Sequence, residues 1–296
     1  MKSKLRREKY GYLYVTPLVI VICAVLLYPI YRVAAMSFQN WFMLRPGTTG
    51  EFVGLDNYTG LLGNEFFRNS VTVSLKYILV TVPARYVLGF VAAVLLNQKF
   101  KGRGIARALL IIPWAVPEVV TVLVWILMYE RDFGIINAML RNTGMITENI
   151  GWLQQMDVAL PAAMAVNIWK GFPFVAIMLL AGLQSIPSEL YEASRVDGSN
   201  AYHRLRYITI PLLRPVSMVV FLLLVIWTIR DFGIIFLLAR GGPSRATEVL
   251  TAYLYNLAFT SFEFGWASAG GMFMLVFALI FSLAYIKMLK KGGVSI

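Results

Sequence analysis

The 296-residue chain has one cysteine and one histidine, and only 14% of its residues are charged. The lone cysteine, Cys23, lies inside an apolar run, which excludes a disulfide-stapled secreted fold. With His203 as the single histidine, no His/Cys metal cluster can be assembled, and no metal site is expected. His203 itself reads as a solvated loop residue. The chain contains no Gly-Lys dipeptide, so it carries no GxxxxGK[ST] phosphate loop of its own. No nucleophile–base pair is readable. Low-complexity stretches and internal repeats are also missing. What is present is apolar: 59% of the residues are hydrophobic, whereas soluble domains run at about 45–50% apolar and about 25% charged. A chain of this size cannot hide so much apolar surface from water, and the same composition excludes disorder. The fold class implied is an all-α polytopic membrane protein.

About 20 apolar residues in a helix cross the hydrocarbon core. Tyr10–Tyr31 carries no charge, which is about 33 Å of helix at about 1.5 Å per residue. Six transmembrane helices are predicted, over roughly 12–36, 71–97, 108–129, 158–184, 212–238 and 266–286. Val33-Ala34-Ala35 has the form of a signal-peptide cleavage site. The preceding apolar run is nevertheless longer than the roughly 7–15 residues of a signal peptide, so an uncleaved first span is expected. Residues 1–11 then form a tail and 12–296 a single transmembrane domain.

Lys and Arg alternate between the connecting segments. They are dense in the tail (Lys2, Lys4, Arg6, Arg7, Lys9), in 98–107 (Lys99, Lys101, Arg103, Arg107), in 185–215 (Arg195, Arg204, Arg206, Arg214) and at the end (Lys287, Lys290, Lys291). The other three segments hold two each, Arg45 and Arg68, Arg131 and Arg141, and Arg240 and Arg245. The positive-inside rule places both termini in the cytoplasm. The four dense segments hold 16 basic residues against Glu8, Glu189, Glu192 and Asp197, which accounts for the whole net charge of +12. Basicity is thus an orientation signal beside anionic membrane lipid, and no nucleic-acid partner is expected.

The segment Ser185–Pro215 reads as a cytoplasmic helical hairpin. Pro187 suits a first helical turn, residues 188–197 alternate at helical spacing, and Gly198 terminates the helix. Residues 199–207 form a second short helix, and Pro211 breaks the chain before the fifth span. Leu190, Ala193 and Val196 present one face, the form of a docking element for a soluble partner.

Glu192-Ala193-Ser194, three residues, Gly198, nine residues and Ile208-x-Ile210-Pro211 resemble the EAA motif, EAA-x3-G-x9-I-x-L-P, of the permease subunits of binding-protein-dependent ABC importers. Ser194 and Ile210 depart from it conservatively. Phe52-Val53-Gly54-Leu55-Asp56-Asn57-Tyr58, Leu95-Leu96-Asn97, Ile112-Pro113, Trp169-Lys170, Ala181–Pro187 and Phe236–Pro243 extend the resemblance over most of the chain. They narrow it to the carbohydrate-type permeases of the maltose and glycerol-3-phosphate class. Ala239 stands where that class usually has Thr. The resemblance implies a type I importer permease in a bacterial or archaeal cell membrane, multi-pass and not itself an enzyme. The loop 185–211 would be its coupling helix, docked on an ATPase subunit through Glu192, Ala193, Ser194, Asp197, Gly198, Ile208 and Pro211. Glu192 would pair with a basic residue of the ATPase, and Gly198 would turn the chain where a Cβ would clash. The implied partners are a second permease subunit, two ATPase subunits and an extracytoplasmic solute-binding protein. ATP and Mg belong to the ATPase subunits, and this chain binds no cofactor.

Charges inside a membrane are functional candidates. Arg85 and Glu118 lie about 18 and 17 Å along their helices from the cytoplasmic ends, so they are placed to pair or to face one polar pathway. Trp169-Lys170-Gly171-Phe172-Pro173 predicts a broken or kinked helix near mid-depth, with Trp169 available to stack on a sugar ring. Arg230 and Asp231 sit near the outer end of the fifth span, and adjacent helical residues do not share a face. These six are the candidate substrate-pathway residues. A mono- or oligosaccharide, a polyol or a phosphate ester all fit. A secondary transporter or channel would need its own ion site and inverted repeats, and a membrane enzyme would need a catalytic constellation.

Overall fold

The computed structural model describes residues 14–44, 47 and 50–291. The expected tail 1–11, the first two residues of the first span and Arg45 lie outside the described residues. Helix α1, Tyr14–Ser37, contains a π turn at Cys23–Leu27. The short strands β1 (Gln39–Asn40) and β2 (Glu51–Phe52) follow, then α2 (Asp56–Gly63) and the long α3 (Glu65–Asn97). Next come α4 (Arg103–Ala115), α5 (Glu118–Met128), α6 (Ile135–Asn142) and α7 (Met156–Gln184). The hairpin helices are α8 (Ser188–Val196) and α9 (Ala201–Arg204), which runs through a π stretch, Leu205–Thr209, into α10 (Ile210–Ile229). The last described elements are α11 (Gly233–Ala239), α12 (Leu250–Phe259) and α13 (Phe264–Lys291). Among the described residues, five helices are long and apolar enough to cross a membrane, and α4 with α5 forms a sixth candidate bent by 92° at a short break.

Among the described residues two compact units are resolved, one formed by those up to Glu65 with Leu254–Phe277, the other by Phe66–Tyr253 and the described residues from Ala278. In the first, β1 and β2 pair antiparallel with Gln39 opposite Phe52. Asn57 Nδ2 donates to the Ser37 and Gln39 carbonyls, each at 2.9 Å, and Tyr58 shares a 2.7 Å hydrogen bond with Ser37. The Phe52–Tyr58 segment therefore ties the end of α1 to the strands.

The second unit holds two apolar clusters. Val73, Tyr77, Val122, Ala163, Val166 and Ile235 centre the first. Val82, Ala93, Val175, Leu179, Leu213 and Leu224 centre the second. Helix α7 contributes to both and packs against α4, α10 and α11. Asn167 and Lys170 on α7 fall between its two apolar stretches, and Thr228 and Asp231 fall between those of α10 and α11.

Two local expectations are corrected. The break expected near Gly171 in the fourth span is absent, because α7 runs unbroken through Pro161 and Pro173. The break lies in the third span, where Val116 is extended (φ −66°, ψ 132°) before Pro117. A residue preceding proline is driven out of the α region. Pro211 does not interrupt the chain either. It falls at the first helical positions of α10, directly after the π stretch, and the interruption comes at Arg230–Phe232.

Candidate functional site

Between the two apolar clusters, α3, α7 and the α10–α11 junction converge on a buried polar network. Arg85 enters from α3. Its Nε donates to the Asn167 carbonyl at 3.1 Å, Nη1 to Thr228 Oγ1 at 3.4 Å, and Nη2 to Asn167 Oδ1. Asp231 accepts from Tyr77 OH at 3.0 Å and from Asn167 Nδ2, and its carboxylate lies 4.0 Å from Arg85 Nη2. Thr251 Oγ1 donates to the Asp231 carbonyl at 2.7 Å. Gly171 explains how the guanidinium fits. A Cβ there would lie against Arg85 Nε and 2.8 Å from Cδ and Cζ. The glycine is used for close approach of a cation, not for a break in its helix. The counter-ion of Arg85 is thus Asp231 and not Glu118, which sits elsewhere in the same cavity wall.

The bend in the third span creates two helix ends inside the unit, and charges of suitable sign meet them. Lys170 Nζ donates to the carbonyl of Val116 and, at 3.5 Å, to those of Pro113 and Trp114. It caps the last turn of α4, where carbonyls lack helical partners and carry partial negative charge. Glu118 opens α5, at the end where a carboxylate is favoured. Its carboxylate lies against Gly233, the first residue of α11.

A cavity of about 430 Å³ lies at this junction. Arg85, Glu118, Lys170, Arg230 and Asp231, five of the six residues singled out in the sequence, line it. Trp169 does not. It packs edge-on against Trp125, with ring centroids 5.5 Å apart, outside this cavity. The aromatic wall comes instead from Trp114, Phe174 and Trp227, with centroids 5.9 Å apart for Trp114–Phe174 and 4.8 Å for Phe174–Trp227. Trp114 and Trp227 carried no signal of their own, lying only close in sequence to Ile112-Pro113 and to Arg230. Asn167 carried no signal beyond its polarity inside an apolar run. Among the described residues, no group of three or more His, Cys, Asp or Glu is placed to hold a metal ion.

The hairpin is built as a helix stop and restart. Gly198 has φ +75°. Its N–H donates to the Arg195 carbonyl at 3.0 Å, and Ser199 N–H donates to the Ser194 carbonyl at 2.9 Å. These are the two bonds of a Schellman stop with Asp197 as the C-cap. A Cβ at Gly198 would meet nothing within 4 Å, so the left-handed backbone, not the clash expected from the sequence, sets the requirement for glycine. Asn200 Oδ1 accepts from His203 N–H at 2.8 Å and restarts the helix. Ser194 is buried, donating to the Tyr191 carbonyl at 2.9 Å, and Tyr191 OH reaches Thr209 at 3.1 Å. The Tyr191–Thr209 bond ties α8 to the π stretch that contains Ile208. Glu192, Ala193, Leu190 and Val196 are exposed, Val196 at 89%. Pro211 is exposed as well.

Residues 85–289, which include the cavity, the hairpin and every network residue but Tyr77, match the family described as binding-protein-dependent transport system inner membrane component. The chain belongs to this family. Among curated relatives of this permease, the trehalose/maltose transport system permease protein MalF of Thermococcus litoralis is 36% identical over 97% of this chain and 95% of that protein. The sulfoquinovosyl glycerol transport system permease protein SmoG of Agrobacterium fabrum is 31% identical over 94% of this chain and 89% of that protein. A solved chain of a bacterial ABC transporter involved in the import of the acidic polysaccharide alginate superposes with a TM-score of 0.85. It is 23% identical and covers 98% of both chains, so it shows the permease fold. The permease is a multi-pass inner-membrane transport component of an ABC importer and not itself an enzyme.

Proposed function

We propose that this permease forms part of the pathway by which an ATP-driven importer moves a sugar or related polyhydroxylated solute into the cytoplasm. The cavity at the network carries this reading. Its volume of about 430 Å³ suits a small saccharide, and aromatic walls beside charged and amide groups suit rings with apolar faces and hydroxyl edges. The named solutes of two relatives, trehalose/maltose and sulfoquinovosyl glycerol, are polyhydroxylated too.

In this reading residues 12–296 form one permease domain of six spans, with 1–11 as a cytoplasmic tail and both termini cytoplasmic. The loop 185–211 is the coupling element. Exposed Leu190, Ala193 and Val196 insert into an ATPase subunit, Glu192 meets a basic residue there, and the Gly198 stop fixes the angle of α8. Two ATPase subunits hold ATP and Mg, a second permease completes the pathway, and an extracytoplasmic solute-binding protein delivers the solute. Nucleotide-driven closure of the ATPases pulls the hairpin, and the pathway alternates its access.

Uptake into proteoliposomes by the assembled importer, with its binding protein and a panel of labelled disaccharides, polyols and amino acids, tests this. ATP-dependent uptake confined to the polyhydroxylated solutes is expected. Uptake of amino acids alone, or uptake that needs no ATP, contradicts it.

A further inference from the structure

A second cavity, of about 1020 Å³, opens between the α3–α4 turn and the hairpin. Lys99, Arg103, Arg107, Arg195 and Arg204 line it, against one carboxylate, Glu192. Little of this charge is used inside the chain. Arg107 Nη2 donates to the Leu96 carbonyl at 3.3 Å and Arg204 Nη1 to the Ser199 carbonyl at 2.5 Å. Among the described residues, none of the five forms an ion pair, and Arg107 Nε is buried without a hydrogen-bond partner. Arg103 is also the first residue of α4, where backbone N–H groups add partial positive charge.

The level of the cleft is set by the ends of two spans. Asn97 closes α3, Gln184 closes α7, and both line the cleft. In the span limits proposed above, 71–97 and 158–184, this is the end of both spans, the level at which headgroups are met. Val94, Leu183, Ile186 and Leu205 give the cleft an apolar part, beside the polar Gln98, Ser188, Tyr191 and Thr209. An excess of cations beside apolar side chains at the end of two spans matches an anionic amphiphile better than a free anion. Basic pockets between spans take anionic headgroups by this chemistry, and guanidinium groups suit phosphate oxygens.

We infer that this cleft binds the phosphate headgroup of an anionic phospholipid, lodged between the α3–α4 turn and the coupling hairpin. Its assignment to the cytoplasmic leaflet rests on the orientation proposed above, whereas the binding itself does not depend on which solute is carried. A lipid bound there bridges the hairpin to the membrane-embedded helices.

The test is native mass spectrometry of the intact importer, stripped of lipid in detergent and then given phosphatidylglycerol or phosphatidylcholine. Retention of phosphatidylglycerol over phosphatidylcholine is expected, falling roughly tenfold or more in Lys99→Gln/Arg103→Gln, since each cation near a headgroup adds about 1 kcal/mol. Arg195→Gln, on the opposite wall, lowers retention independently and guards against a folding defect in the first variant. Arg214→Gln, exposed and outside the cleft, removes the same charge and leaves retention unchanged. Equal retention of the two lipids, or equal loss in Arg214→Gln, overturns the inference. Displacement of the lipid by millimolar glycerol phosphate overturns it in favour of a soluble anion. Retention by the isolated subunit but not by the complex overturns it in favour of a protein partner over the cleft.

Discussion

Replacing Asp231 by leucine removes three things at once from the buried network. Arg85 loses its counter-ion at 4.0 Å, Tyr77 OH loses its 3.0 Å acceptor, and Asn167 Nδ2 loses its carboxylate. The side chains of Arg85 and Asp231 are only 9% and 12% exposed, so water replaces little of what is lost. Breaking a buried pair from one side costs about 3–5 kcal/mol, and each orphaned donor about 1–3 kcal/mol. These terms share groups and do not add, which gives at least about 3 kcal/mol for Asp231→Leu. Arg85→Met is milder, because Asp231 keeps Tyr77 and Asn167 as donors. The double variant, Arg85→Met with Asp231→Leu, leaves no unpaired charge and is more stable than Asp231→Leu alone. Thermal unfolding of the intact complex in detergent, followed by tryptophan fluorescence, reads the order. Unfolding of such assemblies is often irreversible, so the ranking at one scan rate is the observable. Asp231→Leu is expected lowest, with the double variant recovering several degrees. A double variant that falls by the sum of the single losses refutes the pairing.

Other consequences follow from the same geometry. Lys170→Met strands the carbonyls that end α4 and is expected to destabilise by about 1–3 kcal/mol, with Lys170→Arg recovering part of the loss in the same melt. If Lys170→Met melts like wild type, the cap has no structural weight. Gly198→Trp projects a large ring from a left-handed turn with open space around it, so the subunit reaches the membrane while the complex hydrolyses ATP without uptake. Normal uptake by this variant removes Gly198 from the coupling element. Trp227→Ala, in the cavity wall, is expected to raise KM for uptake by roughly tenfold, as for loss of one aromatic contact of about 1.5 kcal/mol. ATPase activity stimulated by the binding protein should persist, and an unchanged KM places the solute elsewhere.

Much of this was readable from residues because the membrane limits the options. Uncharged runs mark helices that must satisfy their own backbone, and the charged residues left inside them had few places to go. Arg85, Glu118, Lys170, Arg230 and Asp231 meet at one cavity for that reason. Their pairing was not readable, since helical rise gives depth along a span but not azimuth. Arg85 and Glu118 matched in depth, yet Asp231, distant in sequence, takes the ion pair. Proline was misread where neighbours decide its effect. Pro173 stays within a continuous helix and Pro211 begins one, whereas Pro117, which was not singled out, follows the bend. Gly171 looked like a breaker because a glycine that admits a neighbouring guanidinium leaves the same trace in sequence as one that breaks a helix. The hairpin was the most legible part, because a Schellman stop depends on residues a few positions apart.

The most direct measurement of the central claim is affinity purification of the chain from native membranes in mild detergent, with mass spectrometry of what accompanies it and transport assays on the product. A P-loop ATPase and a second hydrophobic subunit in fixed stoichiometry, with uptake that requires ATP, are predicted. A chain that purifies alone and moves solute into liposomes without ATP contradicts the account and leaves the 185–211 hairpin without a partner.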